Sequence, residues 1–169
     1  MVGWPQNRTV RNNEQGFTLL EGMLAAVILG TGLLGVASMQ GFALGRNVDA
    51  NETTRATNFA ADIVERINFN RRNAIFYNGI DTNMACTINA TAQPTARGDC
   101  NQWRNLLTGS LASGLGGLRG TVAVTAIGPT APALNQNRVV VTLTWTGAAG
   151  AGKIAKQRQM AITTVVSPE

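Results

Sequence analysis

Apolar and polar residues fall into three regimes along this chain. From Phe17 to Gly45 the sequence is almost wholly apolar, and 24 residues without a charge separate Glu21 from Arg46. As a helix this run would extend about 43 Å, against a hydrocarbon core of about 30 Å, so it is long enough to span a bilayer. The second regime has helical periodicity. Ala56, Phe59, Ala60, Ile63, Val64 and Ile67 recur at the i, i+3, i+4 spacing of one face, while Asn58, Asp62, Glu65 and Arg66 point elsewhere. No proline occurs between Phe17 and Asn70, so the two regimes predict one continuous helix of about 54 residues whose second half, to about residue 70, is amphipathic. Glycines at 30, 32 and 35 each cost about 1 kcal/mol relative to alanine, which makes "GTGLLG" its weakest stretch.

The third regime alternates with period 2: Val122, Val124 and Ala126, then Val139, Val141, Leu143 and Trp145, then Met160, Ile162, Thr164 and Val166. With "GPTAP" and "TGAAGAGK" as turns, these predict a three-stranded β-meander over 120–166. Between helix and sheet, residues 71–98 are rich in Thr, Asn, Ala, Pro and Gly and read as a loop. Asp99 and Gln102 fit a capping box that opens a short helix over 99–113, with Trp103, Leu106, Leu107 and Leu111 on one side and Gly114 as its stop. "GLGGLRG" follows. It departs from a dinucleotide-binding fingerprint, because Arg119 stands where the last glycine belongs and a strand comes next, so it reads as a flexible turn. The expected fold class is α+β: a long N-terminal helix packed on a small antiparallel sheet, with Trp103 and Trp145 in the core.

Composition narrows the chemistry. With 169 residues, 44% of them hydrophobic, the chain can build one core of ordinary size. It has no histidine, which removes the usual general base and the commonest metal ligand. No carboxylate pair, activated nucleophile, phosphate loop or metal cluster stands at a meaningful spacing, so neither an enzyme nor a cofactor is expected. The net charge of +5 comes from the part beyond residue 45. Such a field suits acidic surfaces, anionic lipids or nucleic acid, or simply keeps a soluble face off neutrality. Arg66, Arg71 and Arg72, near the end of the long helix, either dock an acidic neighbour or are solvated. Cys86 and Cys100 are too far apart for a C-x-x-C redox pair. In an exported domain they would form a disulfide, worth roughly 3 kcal/mol by loop closure; the other reading is two buried thiols. Asn51-Glu52-Thr53 and Asn89-Ala90-Thr91 fit glycosylation acceptors, a pattern too short to assign a role.

The polar stretch 1–16 carries Arg8 and Arg11, which by the positive-inside rule place the N-terminus in the cytoplasm and everything after Arg46 across the membrane. Glu21 is the anomaly of the apolar run. A carboxylate mid-span costs on the order of 3 kcal/mol, less near the edge, where it can stay wet. Alternatively it has a partner: a cut after Gly16 would create an amine on Phe17 one helical turn from Glu21, and the amine of a neighbouring subunit could neutralise it. Ala37, Gly41 and Gly45 place small residues every fourth position, which lets another helix approach closely.

"GFTLLE" at 16–21, after a basic leader and before a long apolar run, resembles the class III signal of type IV prepilins and pseudopilins. The resemblance implies that prepilin peptidase removes residues 1–16, cutting between Gly16 and Phe17, and methylates the amine of Phe17. It also implies that Glu21 serves subunit addition. The segments "GLLGVASMQ", "ATNFAADIVERINFNR", "DCNQWRNLL", "VVVTLTW" and "ITTVVSP" are similar, in order, to those of PilV-type minor pilins. Ser38 stands where bulk pilins often carry a helix-breaking proline, and their C-terminal disulfide loop is not evident; both departures favour a minor subunit. The implied organisation is a leader (1–16), a transmembrane and filament-core helix (17–45) and a periplasmic head (46–169). The implied partners are prepilin peptidase, other minor and major pilins, a tip adhesin, and the inner membrane before assembly, with no nucleic acid expected. Three rivals compete. A conventional secretory signal cut near Gly45 is disfavoured by the length of the run. A minor pseudopilin of type II secretion shares the same N-terminus, and a DNA-binding minor pilin for uptake would exploit the basic head.

Overall fold

The computed structural model describes residues 18–109, 112, 114–128, 135–147 and 154–167. The elements are α1 (Leu19–Phe69), a 3-10 helix (Arg71–Tyr77), β1 (Ile80–Asp81), α2 (Pro94–Thr108), β2 (Gly116–Ala126), β3 (Asn137–Thr146) and β4 (Gln157–Val166). The chain divides into two compact units, one ending at Ala43 and one starting at Leu44. In the first unit every described side chain is solvent-exposed apart from half-buried Gly22. The second unit, the head, holds the core.

Within the head, α1 first buries a residue at Glu52 and then buries Ala56, Ala60, Ile63 and Ile67 at helical spacing. Phe59 and Val64 flank that stripe and are partly buried. The sheet is antiparallel with strand order β1-β2-β3-β4. Register fixes which side chains face the helix. Val122 lies opposite Val141 and Val141 opposite Ile162, while Val124, Val139 and Thr164 form the next row. Alternation along β3 buries Val139, Val141, Leu143 and Trp145, each aliphatic side chain contributing about 1.5–3 kcal/mol. This is the expected α+β layout, a long helix against a small antiparallel sheet.

Several boundaries depart from expectation. The second helix occupies Pro94–Thr108 rather than 99–113. Pro94 takes the first helical position, where its missing N–H costs nothing, and Asp99 and Gln102 lie inside the helix, accepting hydrogen bonds from Arg66 rather than capping. The helix stops at Gly109 instead of Gly114: a Cβ there would lie 2.7 Å from the Asn105 carbonyl oxygen. Leu111 lies outside the described residues. The stretch expected as a loop over 71–98 contains the 3-10 helix and β1, so the sheet has four strands rather than three. Gly79, at φ +79°, turns the chain into β1 and donates to the Val122 carbonyl at 2.9 Å, and the Asn78 side chain accepts from the Val124 N–H at 2.9 Å. "GLGGLRG" is not a flexible turn from Gly116 onward. It opens β2, with a register shift between Gly116 and Arg119 and Gly117 at positive φ. The turn residues 129–132 and 148–153 lie outside the described residues.

Helix α2 locks the head together. The Trp103 ring is fully buried and its indole N–H donates to the Phe59 carbonyl at 2.8 Å, joining α2 to α1. The same ring lies over Gly120 of β2, where a Cβ would come within 2.4 Å of it and 2.7 Å of the Leu107 side chain. Cys86 and Cys100 form a buried disulfide that ties the segment before α2 to the helix, and Arg97 holds the same segment through the Ile88 carbonyl at 2.8 Å. Thr82 continues the β1 pairing, donating its N–H to the Gly120 carbonyl at 3.0 Å while its hydroxyl accepts the Gly120 N–H at 2.9 Å. Asp81 closes this corner as a two-pronged pair with Arg119, at 3.0 and 2.5 Å. The Arg119 hydrogen bonds hold the Asp81 carboxyl below its ordinary value of 3.8.

Three outcomes follow. Gly120→Ala should cost about 1–3 kcal/mol by overpacking, seen as a lower urea midpoint. Gly98→Ala in α2, where an added Cβ meets nothing within 4 Å, should be neutral or stabilise by up to about 1 kcal/mol. For Asp81, a depressed folded-state pKa means that stabilisation is present above the ordinary 3.8 and is lost as pH falls through the depressed value. Thermal melts of Asp81→Asn should therefore lie below wild type at neutral pH and converge with it in the acid range below that value; parallel curves across pH would refute the linkage.

Candidate functional site

The N-terminal end of α1 is built from its own capping chemistry. Thr18 precedes the helix and its hydroxyl accepts the Glu21 N–H at 3.3 Å, while the Thr18 carbonyl accepts the Gly22 N–H at 3.2 Å. Thr18 and Glu21 thus stand at N-cap and third helical position, the T-x-x-E spacing of a capping box. A carboxylate in the first turn is favoured by the helix dipole by about 0.3–1 kcal/mol at an exposed site. Glu21 therefore has a local reason to stand near the start of an apolar helix, independent of any partner. Gly16 and Phe17, the expected cleavage and methylation positions, lie outside the described residues.

Beyond the first turn, α1 presents bare apolar surface: Leu19, Leu20, Leu29 and Leu34 are each more than 60% exposed. The two hydroxyls of the apolar run 19–45 bond within the helix, Thr31 to the Ile28 carbonyl and Ser38 to the Gly35 carbonyl, each at 2.9 Å. They leave no donor unmet in an apolar surround. The helix passes Ser38 without interruption. A Cβ placed on Gly30, Gly32, Gly35, Gly41 or Gly45 would meet nothing within 4 Å, so these small residues answer to no contact among the described residues. Ala37 is likewise exposed. A helix this long and apolar can cross a membrane.

Within the head two polar clusters hold α1. At its first buried turn, the Glu52 carboxylate accepts the Trp145 indole N–H at 3.2 Å and faces Arg158 Nε at 3.6 Å. Arg158 also pairs with Asp49 at 2.6 Å and lies across Gly147. One arginine of β4 thus spans two carboxylates of α1 set three residues apart. At the far end, Arg66 sits among Asp62 at 2.8 Å, Asp99 at 3.3 Å and Gln102 at 2.5 Å. Hydrogen bonding to Asp62, reinforced by Asp99, raises the Arg66 pKa. The Tyr77 hydroxyl donates to Asp99 and accepts from Asn70; burial, then the bond to Asp99, pushes the phenol well above its usual range, so it remains a neutral donor. Arg66 is therefore used internally rather than offered to a neighbour, and Arg71 is also engaged.

Sequence reasoning singled out Glu21 and the small-residue ladder but missed the Glu52 cluster. A signal was present: Glu52 falls in phase with Ala56, Ala60, Ile63 and Ile67, an acid on the buried stripe. Its partners, 93 and 106 residues away, follow only from the strand register.

Residues 11–37 match the family profile described as the prokaryotic N-terminal methylation motif. No curated protein and no solved structure matches the chain. The motif supports a prepilin-like protein of the type IV pilin or pseudopilin class, a structural rather than catalytic class. It implies processing by prepilin peptidase and assembly with pilin partners. Motif and apolar helix together fit membrane anchoring and a place in a pilus.

Glu52→Ala should leave the Trp145 N–H without its acceptor and remove one of two carboxylates from Arg158, costing about 2 kcal/mol or more. Glu52→Gln keeps an acceptor and should cost less. Urea unfolding of the full chain in detergent, followed by tryptophan emission, checks the order; equal stabilities for Ala and Gln variants would contradict it.

Proposed function

We propose that this chain is a minor pilin of the type IV pilus, of PilV type, working by contact rather than chemistry. Prepilin peptidase removes residues 1–16 and methylates Phe17. Residues 17–45 then hold the protein in the inner membrane with the head, 46–169, in the periplasm, and the same segment becomes a filament-core helix on assembly. Glu21 pairs with the amine of a neighbouring subunit, and Ala37, Gly41 and Gly45 admit close helix contact. A few copies prime assembly at the tip with other minor and major pilins and a tip adhesin, supporting twitching motility and adhesion.

The observation that carries this reading is the methylation motif joined to the apolar first part of α1, residues 19–45, none of which is buried among the described residues. The helix that runs on through Ser38 and the Cys86–Cys100 disulfide, which ties α2 to the segment before it, are consistent with a specialised subunit rather than the bulk one.

The test is terminal mass analysis joined to a pilus count. A mature chain beginning with methylated Phe17, and loss of surface pili and twitching in a deletion strain that Glu21→Ala does not rescue, are expected. Retention of residues 1–16, or normal piliation after deletion, would sink the proposal. A deletion that spares pili but blocks exoprotein secretion would move the protein to a type II secretion pseudopilus. Salt-sensitive DNA binding by the full chain would support the uptake reading.

A further inference from the structure

Acids and bases are distributed unevenly over the head. Between Asp99 and Glu169 the sequence holds no carboxylate, yet Arg119, Lys156 and Arg158 all fall in that interval. Arg119 is answered by Asp81, and Arg158 by Asp49 and Glu52. Lys156, immediately before β4, and Arg46, the first charge after the apolar run, are exposed and form no ion pair among the described residues.

Two contacts bring these cations to one end of the head. Arg158 meets Asp49 at 2.6 Å, and two residues further along β4 the Met160 sulfur is met by the Thr57 hydroxyl at 3.8 Å. β4 therefore runs along α1 in the same sense, and following it backwards from Arg158 leads past Asp49 toward Arg46. The pairing of β3 with β4 continues that way, since the Gly147 N–H donates to the Lys156 carbonyl at 2.9 Å. Lys156 precedes Arg158 by about 7 Å of extended strand, and Arg46 precedes Asp49 by about 4.5 Å of helix, so both cations stand at that end. Ile154 lies two residues beyond Lys156 and is 89% exposed. An exposed isoleucine is ordinary in itself; this one sits where the local charges are two unanswered cations and the nearby acids, Asp49 and Glu52, are already held by Arg158.

Continuity of the chain selects what faces this end. Arg46 is joined through unbroken α1 to 24 uncharged residues, a run able to cross a bilayer, so a lipid surface begins within about one helical turn of it. An apolar side chain flanked by lysine and arginine suits a headgroup layer: the isoleucine enters the acyl boundary while the cations stay with the phosphates.

We propose that Ile154, Lys156 and Arg46 form a rim that rests the head on the anionic phospholipid surface of the membrane that holds α1. The inference rests on the membrane-anchoring part of the reading above. Its test uses the full chain in vesicles of phosphatidylcholine with about a third phosphatidylglycerol, carrying a fluorescent label at Ile154→Cys, at Thr163→Cys on the exposed outer face of β4, or at Leu29→Cys in the apolar run. The quenchers are nitroxide lipids, labelled on the headgroup or along the acyl chain. The expected result is headgroup quenching at position 154 and none at 163. Lys156→Gln should lower the ratio of quenched to unquenched label about fivefold, the worth of one cation at an anionic surface, without shifting the urea midpoint, and omission of phosphatidylglycerol should weaken quenching in the same direction. Quenching at 154 no greater than at 163, or quenching unmoved by Lys156→Gln and by loss of the anionic lipid, would overturn the inference. Position 29 separates the two failures: acyl-chain quenching there with none at 154 removes only the rim, whereas no quenching at 29 removes the anchoring as well.

Discussion

The Trp103 indole is where α1, α2 and β2 meet in the head. It comes from α2, bonds the Phe59 carbonyl of α1 and rests on the bare backbone of Gly120 in β2. Buried aromatic rings of this kind bring large area and, through the indole N–H, a directional bond that must be met. Because its donor is met by a helix backbone and its face by a glycine, small displacement of either neighbour would open a void or strand the N–H. The disulfide at Cys100 and the Asp99 carboxylate act one turn away on the same helix. They fix the register in which Trp103 arrives.

Helix α1 passes through two chemical regimes. In the head its buried stripe is aliphatic, bounded by a carboxylate at Glu52 and by the Arg66 cluster near the end. Both clusters follow one rule: a charge close to the core is kept where an oppositely charged side chain and further donors or acceptors meet it. Before Glu52 no residue of α1 is buried. The apolar surface there needs a cover that the described residues do not supply, and lipid or neighbouring helices are the covers its composition suits.

Much of this could be read from the chain. The 3.6-residue phase of Ala56 to Ile67 and the period-2 runs around Val122, Val141 and Ile162 gave the helix, the sheet and their facing sides, because burial imposes those periods directly. What could not be read depended on partners remote in sequence. Asp99 and Gln102 look like a capping box when considered alone, yet Arg66, 33 residues earlier, claims the first of them. Gly120 looks like linker composition until Trp103 is known to cover it. The strand Ile80–Asp81 is two residues long, too short for periodicity, though the preceding Asn78-Gly79 marked its turn. At the N-terminus the reverse holds: the T-x-x-E spacing of Thr18 and Glu21 is local and legible, and it gives Glu21 a place in the first turn without any remote partner.

The bare apolar stretch of α1, residues 19–45, has a consequence for how the protein tolerates change. A residue with no internal neighbour contributes to the fold only through its helix propensity, a few tenths of a kcal/mol for most apolar exchanges. Swaps such as Leu29→Ile or Val36→Leu would pass unnoticed in a measurement of the head's stability. The described residues place no constraint on these apolar side chains, so this segment is free to be shaped by its surroundings, while the residues from Asp49 onward, where Arg158 is met, answer first to each other.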